Sequence, residues 1–159
     1  MNKYNILKSK KLFFETNSSF LYRYKDKIIK GVKKSNISYK NEYNILSVIQ
    51  NYKNIIHIED SFSDKDMFYM MMNYYPRGDL QTHIRNKNVV MTDYKDFVRK
   101  LINPLCVVHS HNIVHLDIKP SNYLLNYYNN DYTLIDFNLS KKVKSNSNYY
   151  ELYNRIRIA

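Results

Sequence analysis

The chain has 159 residues, room for one ordinary domain, and its 44% hydrophobic content is enough for a packed core and excludes wholesale disorder. Cys106 is the single cysteine, which excludes an internal disulfide and fits a reducing compartment, while the absence of a signal-like start or of any apolar run longer than 67–72 argues against secretion and a membrane span. The net charge of +11 is spread over scattered lysines, clustered only at Lys8-Lys10-Lys11 and Lys141-Lys142-Lys144, and much of it follows from a bias toward AT-encoded Asn, Ile, Lys and Tyr, so nucleic acid is not the expected partner.

The first third reads as short strands. Residues 20–24 and 28–33 flank the polar turn Lys25-Asp26-Lys27, as a hairpin would. Tyr39, Tyr43, Leu46 and Ile49 have helical spacing, and two further strands are expected at 55–58 and 67–72. Tyr75-Pro76-Arg77-Gly78-Asp79 then breaks the pattern, with Asp79 placed to cap a short helix. A longer helix starts near Thr92 or Asp93 and carries Phe97, Leu101, Leu105 and Val108 on one face, with a kink or break expected at Pro104. Residues 123–125 and 132–135 form a second hairpin around Asn129-Asn130-Asp131. In the tail, Tyr149, Leu152, Tyr153 and Ile156 fall at amphipathic helical spacing.

The chemistry concentrates in Ile113-Val114-His115-Leu116-Asp117-Ile118-Lys119-Pro120-Ser121-Asn122, followed by Leu134-Ile135-Asp136-Phe137-Asn138. A phosphoryl-transfer site needs a carboxylate to receive the acceptor proton, a cation near the moving phosphate, and an Asn plus a second carboxylate for Mg²⁺. Asp117, Lys119, Asn122 and Asp136 supply those groups. Their order and spacing resemble the catalytic loop and metal motif of protein kinases of the serine/threonine type, H-R-D-x-K-P-x-N and D-F-G, and the resemblance runs from about residue 12 to 142.

The resemblance implies an α+β kinase-like fold: a small antiparallel-sheet lobe with one helix (about 1–72), a hinge (73–78), a partial, mainly helical large lobe (79–142) and a tail (143–159). It implies ATP and Mg²⁺ as cofactors and a protein hydroxyl as acceptor. Asp117 would be the base, Lys119 would sit by the transferred phosphate, Asn122 and Asp136 would hold metal, and His115 would brace the loop from beneath. A phosphate-anchoring lysine is expected on the third strand. Lys33, two residues after Gly31, is chosen, with Lys30 after Ile28-Ile29 as its competitor; Glu42 would be the helix partner. Met72 would guard the back pocket, the backbone of Asn73 and Tyr75 would meet adenine, and Asp79 would contact ribose or cap its helix.

Three positions depart from the family's pattern, and the first bears on activation, not on catalysis. Leu116 replaces the usual Arg, which argues against activation through a phosphate on that route. Thr16-Asn17-Ser18-Ser19-Phe20-Leu21 stands where a glycine-rich loop is expected, so side chains limit the approach to phosphates and weaker nucleotide affinity follows, unless hydroxyls partly substitute. Asn138 replaces the motif's third residue, where a positive φ is expected. The chain also stops soon after Asp136, with no A-P-E motif, so the face of Phe97, Leu101 and Leu105 is expected to lack cover and to favour a protein partner. The alternative to a kinase is therefore a pseudokinase that binds a kinase or its substrate. Composition and brevity together suggest a large DNA virus, hence the host cytoplasm.

Overall fold

The computed structural model describes residues 11–88, 93–126 and 130–143. Strands β1 (Lys11–Glu15), β2 (Ser19–Tyr24) and β3 (Lys27–Lys33) are followed by helix α1 (Ser38–Ile49), then β4 (Ile58–Ser63) and β5 (Met67–Asn73). All neighbours in the resulting sheet are antiparallel, in the order β1-β2-β3-β5-β4. The β4–β5 turn closes on the Asp64 carboxylate, which accepts from the Met67 and Asp66 amides at 2.8 and 3.0 Å. Beyond the sheet come α2 (Leu80–Arg85), α3 (Tyr94–Ser110), β6 (Ile113–Val114), a 3₁₀ turn (Pro120–Asn122), the hairpin β7 (Tyr123–Leu125) and β8 (Tyr132–Leu134), and β9 (Lys141–Lys142), which pairs with β6. The fold is α+β: an antiparallel sheet with one helix, joined to a mainly helical part. The tail helix expected from Tyr149, Leu152, Tyr153 and Ile156, and the turn residue Asn129, lie outside the described residues.

One core runs through both parts. Leu46 and Ile49 of α1, Val32 and Met70 of the sheet, Val108 of α3, Leu134 of β8 and Phe137 are buried together in it. Each such burial is worth about 1.5–3 kcal/mol. Tyr39 stacks on Phe68 with centroids 4.8 Å apart, and Tyr43 meets the same ring edge-on at 5.4 Å, fixing α1 across the sheet.

Three expectations need correction. Ile55 and Ile56 do not begin β4. The chain there crosses to β8, where Leu134 N–H donates to Asn54 O at 2.9 Å and Ile56 N–H to Leu134 O at 3.0 Å, and β4 starts at Ile58. Pro104 does not break α3: the ring removes one amide donor, but the helix runs unbroken from Tyr94 to Ser110 with Pro104 buried. Nor is the Phe97, Leu101 and Leu105 face uncovered. It packs against the core, where Phe97 meets Tyr132 edge-on at 5.9 Å and the Tyr123 hydroxyl donates to Leu101 O at 3.1 Å. The β7–β8 hairpin is the cover. Asp93 caps α3 as expected, accepting from the Lys95 and Asp96 amides at 2.8 and 3.3 Å. Thr92 lies outside the described residues.

With two glycines in the whole chain, the left-handed bends fall mostly on other residues. Among the described residues, Lys25, Lys87, Asn112, Leu116, Asn130 and Asp136 have φ between 52° and 68°, alongside Gly78 at 74°. Two of these, Leu116 and Asp136, lie in the motif segments, where such strain tends to collect.

Candidate functional site

A cleft of about 500 Å³ opens between the sheet and the segments that follow it, within the size range of small-molecule sites. Leu21, Ile28 and Met72 from the sheet and Leu124 and Ile135 from opposite give it two apolar walls, between which Lys30 and Asp136 stand. Strand parity decides which lysine is there. A Cβ at Gly31 would meet the Phe20 ring at 2.2 Å, so Gly31 lies under Phe20, on the sheet face away from the cleft. Lys33 shares that parity and is exposed at the end of β3. Lys30 and Ile28 face the cleft instead. Lys30, not Lys33, is the cleft lysine, because the small residue at Gly31 serves Phe20 and not a ligand.

Lys30 Nζ donates to both Glu42 carboxylate oxygens, at 2.9 and 2.7 Å, and lies 3.6 Å from Asp136 Oδ1. Glu42 is 2% exposed. Burial pushes its carboxyl up, and the ammonium of Lys30 works in the opposite direction. The pair ties α1 to β3 across the floor of the cleft.

Opposite, Asp117 Oδ2 accepts from Lys119 Nζ at 2.7 Å and from Asn122 Nδ2 at 3.0 Å, and the same Asn122 amide donates to Asp117 O at 2.8 Å. Partial burial pushes the Asp117 carboxyl up, but the Lys119 and Asn122 hydrogen bonds outweigh it and hold the group below the ordinary carboxylate range. His115 is 1% exposed. Its Nδ1 accepts from Asp117 N–H at 3.2 Å and its Nε2 donates to Ile135 O at 3.0 Å, so a neutral ring links the two motif segments. Burial lowers the pKa of that imidazole, which keeps it uncharged at neutral pH.

The second segment is fixed from several sides. Ser140 Oγ donates to His115 O at 3.1 Å, and Asn41 Nδ2 donates to Ser140 O and Asn138 O at 2.7 and 3.2 Å. The expected positive φ at Asn138 falls on Asp136 instead, at 65°. Asn138 is thereby freed from the turn geometry. Its amide donates to Asp136 Oδ1 at 2.6 Å and accepts from Lys30 Nζ at 3.3 Å. Neither Asn138 nor Asn41 stood out as a site residue in the sequence, since Asn41 and the Lys30 end of the Asn138 bridge act over about a hundred residues. The Asn in place of the motif's last residue was the available signal.

At the cleft mouth, Tyr74 N–H donates to Asp26 O at 2.8 Å, and the Asn73 side chain accepts from Lys27 Nζ at 2.7 Å. Met72 is buried between Ile28 and Ile58, while Asn73, Tyr75 and Asp79 line the opening. The Asp79 carboxylate caps α2, accepting from Thr82 N–H at 2.8 Å and from the Thr82 hydroxyl at 3.0 Å. Above the cleft, the turn at 16–19 bonds to itself: Thr16 Oγ1 accepts from Ser19 N–H at 3.0 Å and lies 3.4 Å from Ser18 N, and Thr16 N–H donates to Ser19 O at 2.7 Å. The Thr16 hydroxyl thus occupies the Ser19 amide and lies against that of Ser18 at the edge of the cleft.

Asp136 offers a half-exposed carboxylate, and Asn122, whose Nδ2 is committed to Asp117, offers its amide oxygen. That hard oxygen set fits Mg²⁺, which takes one or two protein ligands and draws the rest from phosphates and water. Among the described residues no cluster of three His, Cys, Asp or Glu side chains suits a metal held by protein alone, and no helix is long and apolar enough to cross a membrane.

A family model described as "Protein kinase domain" matches residues 16–156. The serine/threonine-protein kinase ksp1 of Schizosaccharomyces pombe is 35% identical over 104 residues, 61% of this chain and 22% of that protein. Myosin light chain kinase 3 of Rattus norvegicus is 34% identical over 108 residues, 66% of this chain and 14% of that protein. R436 of Acanthamoeba polyphaga mimivirus, named as a serine/threonine-protein kinase, is 34% identical over 145 residues, 86% of this chain and 51% of that protein. The chain therefore spans at most about half the length of these relatives.

Proposed function

Because the chain belongs to the protein kinase family, we propose that it is an ATP- and Mg²⁺-dependent serine/threonine kinase acting on a protein hydroxyl. One observation carries this reading: a cation, Lys30, stands between a buried carboxylate and a cleft-facing one, Glu42 at 2.7 Å and Asp136 at 3.6 Å. Such a lysine is held in place before any phosphate arrives, which is the preorganisation that phosphoryl transfer requires. Residues 1–72 serve in this reading as the small lobe, 73–78 as the hinge and 79–142 as the part of the large lobe carrying the loop.

ATP would lie with its base between Leu21, Ile28 and Leu124, near the backbone of Asn73 and Tyr75, with Lys30 as the cation for its phosphates. Met72 would close the back of this pocket, and Asp79, while capping α2, would border the ribose. Asn122 and Asp136 would hold Mg²⁺, which would supply charge neutralisation for the phosphate groups. The acceptor oxygen forms its bond to the γ-phosphorus as the bond to the β–γ bridging oxygen breaks. Asp117, kept ionised by Lys119 and Asn122, takes the acceptor proton, and Lys119 faces the charge of the transferred group. Leu116 offers no cation to an activation-segment phosphate, so activity does not wait on that modification. The relation to a viral relative and the exposed free thiol of Cys106 are in keeping with the cytoplasm of an infected host.

The test is phosphate transfer and nucleotide-dependent thermal stabilisation by the purified chain. Asp117→Asn should lower transfer at least about 10³-fold while the stabilisation by Mg·ATP remains. Asp136→Ala should weaken that stabilisation. The self-bonded turn at Thr16 favours a second reading, a pseudokinase that binds a kinase or its substrate. That reading gains the ground if Asp117→Asn keeps the biological effect and the native chain transfers no phosphate.

A further inference from the structure

Resting on the nucleotide-binding reading above, we infer that Asn138 is a positioning residue that sets how strongly nucleotide binding depends on a divalent cation. Its side chain bridges the two charged groups that meet the phosphates, donating to Asp136 Oδ1 at 2.6 Å and accepting from Lys30 Nζ at 3.3 Å. The two contacts use opposite ends of one amide, so no other side chain of that size except a second amide satisfies both. An amide N–H at a carboxylate oxygen supplies part of the positive charge that a cation would bring, with no cation present. It also occupies the oxygen nearest Lys30, which lies 3.6 Å away.

The amide is built in and not incidental. The Asn138 carbonyl is held separately by Asn41 Nδ2 at 3.2 Å, and the next turn by Ser140 N–H to Phe137 O at 3.1 Å. Backbone position therefore does not depend on the Asn138 side chain. With φ outside the left-handed region at this position, a glycine is not required for the turn. A residue free of conformational duty has been placed so that both ends of its amide reach ionised partners. The result is a cleft in which Asp136 and Lys30 keep their places without metal, and in which a cation gains less than it would beside an unoccupied carboxylate.

The experiment compares binding of a non-hydrolysable ATP analogue by native chain, Asn138→Gly and Asn138→Asp, each with chelator and with millimolar Mg²⁺, by calorimetry. The quantity read is the ratio of Kd without Mg²⁺ to Kd with it. In the native chain we expect a small ratio, about threefold. It should rise by about tenfold in Asn138→Gly, the scale of one hydrogen bond to a charged group, mostly through weaker binding in chelator. Asn138→Asp should raise the ratio further, since a second carboxylate beside Asp136 needs a cation to offset it. A ratio in Asn138→Gly equal to or below the native one, with binding intact, overturns the role of Asn138 and leaves the kinase reading standing. If Asn138→Gly does not fold, the direction of change in Asn138→Asp decides alone. Absence of binding by the folded native chain in both conditions overturns the nucleotide-binding reading and this inference with it.

Discussion

The floor and the roof of the cleft are held by different kinds of bond. The floor has bonds that join distant segments, beside its local ones: Lys30 and Asn138 are 108 residues apart, Asn41 and Asn138 97, His115 and Ile135 20. On the roof, the Thr16 hydroxyl bonds to Ser19, three residues on. A long-range bond forms only when the whole fold is in place, and it then fixes the relative position of two elements. A local bond asks little of the rest of the chain and is easily exchanged for water or a ligand. The floor is therefore rigid by construction, and the roof is closed by default.

The sharpest way to break the floor is Glu42→Ala, which leaves the Lys30 ammonium, 13% exposed, without its buried counterion and with only the more distant Asp136 carboxylate at 3.6 Å. A loss on the order of 3 kcal/mol is expected, measured by chemical denaturation, together with loss of nucleotide binding. If stability drops by less than about 1 kcal/mol, the floor is not organised by that pair. Gly31→Ala tests the sheet that carries Lys30. A methyl 2.2 Å from the Phe20 ring forces that half-buried ring aside, at a cost of about 1–3 kcal/mol, without changing any group in the cleft.

His115 predicts the pH behaviour of the floor. Its folded pKa is depressed below 6.5 by burial, so the unfolded chain binds the proton more readily than the folded one. The stability it contributes is complete above pH 6.5 and falls as acid takes the pH down through the folded value. A melting-temperature profile should slope in that window for the native chain and flatten in His115→Asn; identical slopes would remove His115 as the cause. The smallest effect belongs to the roof. Thr16→Val keeps the side-chain shape and deletes the acceptor, so stability should change by less than about 1 kcal/mol. Nucleotide affinity should rise about threefold as the Ser18 and Ser19 amides become free to meet phosphate, and a fall in affinity would show that the hydroxyl itself assists binding.

The same contrast explains what could be read from the sequence. The grouping of Asp117, Lys119 and Asn122 was legible because offsets of two and five within one loop leave few other arrangements. Helices α1 and α3, the first hairpin and the Asp79 and Asp93 caps followed from periodicity and local chemistry for the same reason. The Lys30 and Lys33 alternatives differed in parity along a strand, and parity is settled by what lies on both faces, here the Phe20 ring on Gly31. The bridge made by Asn138, the crossing of Ile55 to β8 and the cover that β7 and β8 give α3 all join distant segments. No local pattern encodes them, and pattern reading left the α3 face bare for that reason.

The left-handed residues have a practical consequence for anyone who needs this protein in quantity. Lys25 and Lys87, both at φ 55° and both exposed at turns, each carry a side chain in a conformation that disfavours it by about 1 kcal/mol. Neither lines the cleft. Glycine at these two positions would relieve that conformational penalty while leaving the cleft chemistry as it is, so thermal robustness can be engineered independently of activity.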